Sequence, residues 1–327
     1  MGTALGKMLC DAGREVTLWT YEQELAEQIE RTHENTMFLP GVELPGTLRA
    51  VNSLPEALDA ARVVFSVTPS QVLRAVWTEA GKYLEPDASI VCASKGVEIG
   101  TAKLMSEVLD EVLPSVGPAR LAFLSGPSFA KEIVAGHPTA VVVASRNLEL
   151  ARSVQMITST SSFRAYTTDD VVGVELGGAI KNVIAIAVGV AEGLGFGHNT
   201  RAGLITRGLA EVSRLAVACG ADPLTLAGLA GVGDLVLTCT GHLSRNLQVG
   251  IRLGKGTSLS EILEGMKMVA EGVKTAYSAV DLAKLHGVDM PISRVVVQIL
   301  NGDMAAGEAV RSLMSRRLRE EKDFCRP

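Results

Sequence analysis

The sequence has no excess of basic residues, few aromatic residues and no long apolar run. Its 31 lysines and arginines stand against 36 acidic residues, for a net charge of −5, and aromatic residues make up only 4%. Without a basic stripe, nucleic acid is excluded as the main partner. The longest uninterrupted apolar run, Val183 to Ala191, is far shorter than the roughly 18–20 residues of a membrane span, so no span is predicted.

Paired cysteines and clustered histidines are also lacking. The five cysteines are Cys10, Cys92, Cys219, Cys239 and Cys325. They form no C-x-x-C pair, which predicts reduced thiols in a cytoplasmic protein. The five histidines are dispersed without H-x-H or H-x-x-x-H spacing, so the sequence predicts no metal site.

What the sequence does contain is the pattern of two globular domains. At 327 residues with 47% hydrophobic content, the chain exceeds the size at which one core usually stops growing. Strands are predicted at 15–19, 63–67, 90–94, 121–125, 139–144 and 163–166, and helices between them at 3–12, 22–33, 70–83 and 101–113. Such alternation is typical of βαβ units with a mostly parallel, covered sheet. Beyond residue 170 only helices are predicted, at 173–192, 203–219, 258–267, 273–286 and 292–300. The predicted fold is a Rossmann-like, doubly wound α/β domain over residues 1–170 and an all-α domain over 171–327.

The glycine-rich turn that normally opens a dinucleotide-binding domain is missing. A strand and a G-x-G-x-x-G turn should precede the first helix, but the sequence starts at Met1-Gly2, directly before that helix. Gly2 corresponds only to the last glycine of that fingerprint. The first strand of such a sheet lies between the second and fourth, so its loss leaves both without a ladder partner. We therefore expect a strand and a glycine turn to precede Gly2 in the native protein.

The loops that follow the predicted strands contain candidate ligand-binding residues. These loops are Thr68-Pro69-Ser70, Lys95-Gly96 and the run from Gly126 through Ser128 to Ala130. Ligands of open α/β sheets bind at the carboxyl ends of the strands. Any one loop is ordinary turn chemistry, but all of them on one edge, one with a lysine, predict a ligand crevice.

Lys181 is the unusual residue of the helical half. It lies in GGAIKNVIAIAVGVA, a helical stretch that is otherwise nearly all apolar. Its ammonium must reach water, a partner or a substrate. Spacing alone leaves two alternatives open: a lysine that extends to the domain edge, or a desolvated general base next to Asn182.

Two further groups in this half carry polar chemistry. Asp234 follows two glycines and precedes an apolar LVLT, as either a helix cap or a pocket acid. Ser244-Arg245-Asn246 combines a hydroxyl, a guanidinium and an amide, which suits a phosphate, although such a trio is also common at the start of a surface helix.

These segments together resemble the NAD(P)-dependent glycerol-3-phosphate dehydrogenases of the bacterial type. The resemblance rests on SGPSFAKE at 125–132, ELGGAIKNVIAIAVG at 175–189, RAGLITRGLAE at 201–211, GVGDLVLTCT at 231–240 and SRN at 244–246. It extends over nearly the whole chain and is specific because all the motifs occur in order.

The resemblance implies reversible reduction of dihydroxyacetone phosphate to glycerol 3-phosphate, which supplies glycerophospholipid synthesis. It implies that Lys181 is the general acid/base on the carbon-2 oxygen and that Lys95 contacts substrate and cofactor. The implied substrate-binding residues are Lys95, Gly126, Ser128, Lys181, Asp234, Ser244, Arg245 and Asn246. The implied cofactor-binding residues are Gly2, Tyr21, Lys95, Ala130, Arg245, Val269 and Glu271.

The sequence says less about the choice between NAD and NADP and about partner proteins. The predicted tip of the second strand, Trp19-Thr20-Tyr21, has neither the acid that favours NAD nor an arginine that favours NADP, so NAD or NADP is expected. Family analogy suggests a homodimer. One alternative is a dehydrogenase of the same plan for a hydroxy acid or sugar acid. The other is a non-catalytic, cofactor-deficient chain that binds glycerol phosphate.

Overall fold

The computed structural model of the chain describes residues 1–266, 268–318 and 320–321. Cys10, Cys92, Cys219 and Cys239 are free thiols, as predicted. Cys325 lies outside the described residues.

The first half of the chain is an α/β domain. Its strands are β1 (Val16–Trp19), β2 (Glu34–Asn35), β3 (Leu39–Glu43), β4 (Leu48–Val51), β5 (Val63–Ser66), β6 (Ser89–Cys92), β7 (Leu121–Ser125), β8 (Thr139–Ala144) and β9 (Phe163–Thr168). Its helices are α1 (Gly2–Asp11), α2 (Gln23–Thr32), α3 (Leu54–Leu58), α4 (Leu73–Ala80), α5 (Met105–Val112), α6 (Ala130–Val134) and α7 (Leu148–Thr158).

The main sheet has the order β5-β6-β7-β8-β9, parallel except between β7 and β8. Every residue of β7 is buried, because apolar side chains on both faces pack under helices. A second, two-stranded sheet pairs β1 and β4 in parallel, and β2 pairs with β3 antiparallel. Gly2 lies near Val67 and Leu18, at the junction of the two parallel sheets.

The second half is helical, as predicted. Its helices are α8 (Val171–Gly193), α9 (His198–Ala218), α10 (Pro223–Leu226), α11 (Asp234–Thr240), α12 (Arg245–Gly254), α13 (Leu259–Glu264), α14 (Glu271–Leu285), α15 (Pro291–Asn301) and α16 (Ala306–Met314). Helix α8 is the centre of this domain: it is apolar on nearly all sides and therefore buried. It begins where the Asp170 carboxylate accepts a hydrogen bond from Gly173 N–H at 2.9 Å.

Helices α8 and α12 cross with their backbones in contact. A Cβ atom on Gly250 would lie 2.1 Å from the Ile186 carbonyl oxygen and 2.9 Å from Gly189 Cα. One turn later, Gly254 and Gly193 meet in the same way. Only glycine permits this approach, so the glycines hold the middle and end of α12 against the last turns of α8.

Length and apolar composition alone would let two segments, Val171–Gly193 and Pro223–Thr240, cross a membrane. In the first segment, 89% of the most apolar stretch is buried inside the structure, as expected for a core helix. For the second the buried share is 39%, so the absence of a membrane span stays a prediction.

Several elements differ from the predicted ones. The sequence did not predict the short strands β2, β3 and β4, or the helices α3, α6, α7, α10, α11, α12 and α16. Helix α9 begins at His198 rather than at 203, and α5 begins at Met105 rather than at 101. The α5 start is fixed by Glu107, whose carboxylate accepts a hydrogen bond from Leu104 N–H at 2.7 Å.

Candidate functional site

The site lies at the edge of the main sheet where β5, β6 and β7 end. The loops after β5 and β6 are joined by Ser94 Oγ, which donates a hydrogen bond to the Thr68 carbonyl at 2.6 Å. Lys95 follows directly. After β7, Gly126 has a φ of +124°, and a Cβ there would lie 3.0 Å from Val141 Cα. Glycine is therefore required at this turn.

Gly126 brings two of the predicted substrate residues together. Its carbonyl oxygen accepts hydrogen bonds from Lys95 Nζ at 3.2 Å and from Ser128 Oγ at 2.9 Å. The loops after β6 and β7 thus meet at the Gly126 carbonyl.

Lys181 comes to the same point from α8. Lys181 is only 7% exposed, and its Nζ lies 2.5 Å from Asp234 Oδ1. Asp234 is 1% exposed, and its other oxygen, Oδ2, accepts a hydrogen bond from Lys95 Nζ at 2.6 Å. Of the alternatives for Lys181, extension to the domain edge is thus wrong. Asp234 makes no capping contact at the start of α11 and is a buried acid shared by two lysines.

The charges of this cluster set the protonation of its members. Burial lowers the pKa of Lys181 from 10.5 to about 8, assisted by Lys95 and opposed by Asp234. Burial disfavours the charged form of Asp234, but the two ammonium groups outweigh it and hold its pKa below its ordinary value. Two cations share one anion, so the cluster has a net positive charge. An amine that titrates near neutrality can both accept and donate a proton.

Thr238 completes the cluster and was missed by the sequence reasoning. Lys181 Nζ donates a hydrogen bond to Thr238 Oγ1 at 2.8 Å, and that hydroxyl donates to the Asp234 carbonyl at 2.6 Å. The available signal was its spacing, one helical turn after Asp234 on α11.

The start of α12 lies next to Lys181. Asn246 Nδ2 donates a hydrogen bond to Asn182 Oδ1 at 2.9 Å, and Asn246 Oδ1 accepts one from Gly272 N–H at 3.0 Å. The buried Ser244 is the N-cap, with Oγ accepting from Leu247 N–H at 3.2 Å. The exposed Arg245 follows. A helix N-terminus with a guanidinium and amides suits a phosphate.

The predicted cofactor residues fall into two groups. Gly2 opens α1, which packs against α6, the helix that begins at Ala130. Burial, assisted by the Arg245 guanidinium, lowers the pKa of the Met1 amino group to about 6. Glu271 opens α14 and contacts the loop after β5. These residues surround the strand ends.

Tyr21 and Val269 form the second group and are not joined to the cluster by any contact that the structure describes. Tyr21 is 79% exposed beyond the tip of β1, edge-on to Trp19. Val269 is also exposed, just before α14.

The crevice has polar atoms that suit a nucleotide cofactor. Within the described residues, the buried hydroxyls of Thr68, Ser125 and Thr275 have no hydrogen-bond partner. Buried hydroxyls normally have one, so these three hydroxyls can still form a hydrogen bond with an ordered water or a bound molecule. They lie at the ends of β5 and β7 and on α14, around the predicted cofactor path. Among the residues described, no group of three or more His, Cys, Asp or Glu side chains could hold a metal ion.

Comparison with known proteins gives matches over nearly the whole chain. The family model for the NAD-dependent glycerol-3-phosphate dehydrogenase N-terminus matches residues 1–151, and that for the C-terminus matches residues 170–311. The glycerol-3-phosphate dehydrogenase (NAD(P)+) of Geobacter metallireducens is 54% identical over 98% of this chain and 96% of its own. That of Streptomyces griseus is 51% identical over 98% and 95%.

Solved structures match as well. The glycerol-3-phosphate dehydrogenase of Coxiella burnetii superposes with a TM-score of 0.92 at 37% identity, over 96% of this chain and 95% of that one. A D-mandelate dehydrogenase superposes with a TM-score of 0.60 at 14% identity, over 94% and 95%. The second match shows the fold alone.

Proposed function

The chain belongs to the NAD(P)-dependent glycerol-3-phosphate dehydrogenase family, and we propose that Lys181 exchanges the substrate proton in the reaction of that family. The enzyme interconverts glycerol 3-phosphate and dihydroxyacetone phosphate with NAD or NADP. The observation that supports the proposal is the buried cluster in which Lys181 Nζ lies 2.5 Å from Asp234. The non-catalytic alternative has no support, because the relatives are dehydrogenases.

The proton balance explains why such an amine is needed. Carbon 2 of glycerol 3-phosphate loses a hydride, and its hydroxyl must lose a proton as the C=O bond forms. The neutral amine of Lys181 accepts that proton; in the reverse direction, the ammonium donates it to the carbonyl oxygen. Lys95 adds a second positive charge that stabilises the oxygen as negative charge develops.

Asp234 and Thr238 hold the amine in place. Asp234 accepts hydrogen bonds from both lysines, at 2.5 and 2.6 Å, so the ammonium groups lie on either side of one carboxylate. Thr238 accepts a further hydrogen bond from Lys181. A base that is held in this way is ready for reaction without rearrangement.

We assign the substrate phosphate to the start of α12. Arg245 supplies the charge, Asn246 and Ser244 lie beside it, and the N-terminus of a helix favours a negative charge. Gly126 and Ser128 form the opposite wall, next to Lys95.

The cofactor is assigned to the crevice between the strand ends and α14. When bound, the nicotinamide accepts or donates the hydride. Gly2 at the start of α1 suits the pyrophosphate, and Ala130, Arg245 and Glu271 border the path. Tyr21 and Val269 are proposed contacts at its two ends, the former near the adenosine ribose.

We also propose a domain boundary between residues 170 and 171, after β9 ends at Thr168 and where α8 begins at Val171. We also propose a cytoplasmic homodimer without a membrane span that supplies glycerophospholipid synthesis.

The function is tested by measuring oxidation of NADH and NADPH by the purified chain. Dihydroxyacetone phosphate is compared with 2-oxo acids, including phenylglyoxylate and 2-dehydropantoate. We expect turnover with dihydroxyacetone phosphate alone. Turnover of an oxo acid in preference would favour the hydroxy-acid alternative, and binding of glycerol 3-phosphate by a folded but inactive protein would favour the non-catalytic one.

A further inference from the structure

Ser70 joins the two halves of the crevice. It follows β5 in the Thr68-Pro69-Ser70 loop and is 1% exposed. Its partner, Glu271, lies 201 residues further along the chain, at the start of α14. None of the roles assigned above includes Ser70.

The contact between these residues is bidentate. Ser70 N–H donates to Glu271 Oε1 at 3.0 Å, and Ser70 Oγ donates to Glu271 Oε2 at 2.5 Å. Both donors bind the charged form of the carboxylate and fix its plane. Each carboxylate oxygen keeps a lone pair that can accept a hydrogen bond from a ligand.

Two neighbours of Ser70, Gly96 and Gln71, hold its hydroxyl in place. A Cβ on Gly96 would lie 2.3 Å from Ser70 Oγ, so only glycine fits there. Gln71 Nε2 donates to the same hydroxyl at 3.2 Å and to the Val97 carbonyl at 2.9 Å. The serine is thus fixed from the side of the α/β domain.

Glu271 also connects to the substrate side of the site. The next residue, Gly272, donates its N–H to Asn246 Oδ1, and Asn246 contacts Asn182 beside Lys181. The carboxylate therefore lies between the strand ends and the proposed phosphate site, on the path assigned to the cofactor.

We propose that Ser70 is a positioning residue that orients the Glu271 carboxylate for hydroxyl or amide hydrogens of the nicotinamide nucleoside. This inference rests on the proposed function, because it assumes that the crevice binds such a cofactor. Ser70 itself need not contact the cofactor.

The charges around Glu271 give this role a pH signature. The pKa of Glu271 lies above its ordinary value, because burial raises it more than the two hydrogen bonds from Ser70 and the Arg245 guanidinium lower it. Removing the serine hydroxyl takes away the stronger of these hydrogen bonds. The carboxylate then protonates at a higher pH than in the wild type, and a protonated acid is a poorer acceptor.

The experiment measures the Kd of NADH, by fluorescence titration of the full chain, and kcat and KM with dihydroxyacetone phosphate. For Ser70→Ala we expect the Kd and KM of NADH to rise about tenfold, as for loss of one charge-assisted hydrogen bond. We expect kcat at saturating NADH to change less than about threefold. The acid limb of NADH binding should move to higher pH.

Ser278→Ala is the matched control. Ser278 Oγ on α14 also donates to the α/β domain, to the Val97 carbonyl at 2.8 Å, but does not contact Glu271. We expect its Kd for NADH to stay within about twofold of the wild type. An equal rise in Ser278→Ala would overturn the proposal, since loss of domain contact would then explain both variants.

A double-mutant cycle with Glu271→Gln completes the test. If Ser70 acts through Glu271, adding Ser70→Ala to Glu271→Gln changes the Kd little; additive effects would overturn the proposal. Should Ser70→Ala not fold, Ser70→Cys keeps the shape with a weaker donor and is held to the same outcomes. Because the Kd needs no turnover, a wild type that binds NADH but reduces nothing would refute the proposed function alone.

Discussion

Lys181 Nζ and Asp234 Oδ1 lie 2.5 Å apart, although 53 residues separate them and neither residue is more than 7% exposed. A buried pair of this kind is expensive to desolvate and rarely adds stability. The lysine titrates at about 8, since burial opposes its charge more strongly than Asp234 supports it. The pair is therefore better explained by proton exchange than by stabilisation of the fold.

Replacing Lys181 by methionine should lower kcat by about 10²–10⁴-fold, the range for a general acid/base. The fold should persist, because Asp234 keeps its hydrogen bond from Lys95. The Kd of NADH should change by less than about twofold. Lys284→Met removes an exposed lysine paired with Asp281 and serves as the control. A kcat near the wild-type value would reject Lys181 as the proton carrier.

Replacing Asp234 by asparagine should shift the pH profile of glycerol 3-phosphate oxidation. In the proposed mechanism, oxidation needs the neutral amine of Lys181, so in the wild type kcat/KM should fall below a pH of about 8. Asp234 raises that pKa, and its loss should move the acid limb to lower pH, with reduced turnover. Asp281→Asn, on the surface of α14, should leave the limb unchanged. An unchanged or higher midpoint in Asp234→Asn would contradict the assignment.

Replacing Thr238 by valine should lower kcat by about tenfold, because Lys181 loses a hydrogen-bond acceptor that holds its Nζ in place. Thr240→Val is a close control on the same helix. Its hydroxyl also donates to the carbonyl one turn earlier, at 2.8 Å, but it is exposed and contacts no lysine. Equal kcat values for both variants would show that Thr238 has no role beyond its helix.

Replacing Gly250 by alanine should destabilise the protein by about 1–3 kcal/mol, as overpacking does. Its Cβ would lie 2.1 Å from the Ile186 carbonyl and push α12 away from α8. The KM for dihydroxyacetone phosphate should rise, since the start of α12 moves. Gly203→Ala, in open space on α9, should be neutral or stabilising by up to about 1 kcal/mol. Denaturant unfolding and steady-state kinetics test both, and equal stabilities would refute the close crossing.

Replacing Glu175 by glutamine should make the free energy of unfolding less dependent on pH. Burial raises the pKa of Glu175 from 4.5 to about 7, so the folded state binds an extra proton between these values. Stability is therefore full below 4.5 and falls as pH rises towards 7. Glutamine keeps both contacts with Ser106, whose hydroxyl can accept as well as donate. At pH 8 the variant should be more stable by about 1–3 kcal/mol. A steeper pH dependence would contradict this.

Much of the site could be predicted because its residues break local patterns. Lys181 stands out in an apolar helix, and Lys95 and Gly126 follow buried strands whose ends must meet at one edge. The sequence could not predict that Asp234 pairs with the two lysines. A lone Asp234 after two glycines is compatible with a helix cap, and only the tertiary structure brings it between two lysines.

The missed features have a common cause in tertiary contacts. Helix α12 contains Gly250 and Gly254, which lower its intrinsic helix propensity, and its stability comes from packing against α8. Strand β3 contains Pro40 and Gly41, so its local sequence argues against a strand. Thr238 has no unusual neighbours, and its role depends on a residue of another helix.

The glycine contacts between α8 and α12 also fix the distance between Lys181 and the proposed phosphate-binding residues. Lys181 lies on one of these helices and the proposed phosphate-binding turn on the other, and backbones that touch cannot slide without a clash. In the proposed binding mode, the distance between the sites for the substrate phosphate and the carbon-2 hydroxyl is therefore fixed by the main chain rather than by mobile side chains. A phosphorylated alcohol with one more carbon between these groups would present its hydroxyl out of register with the amine, however well its head group bound.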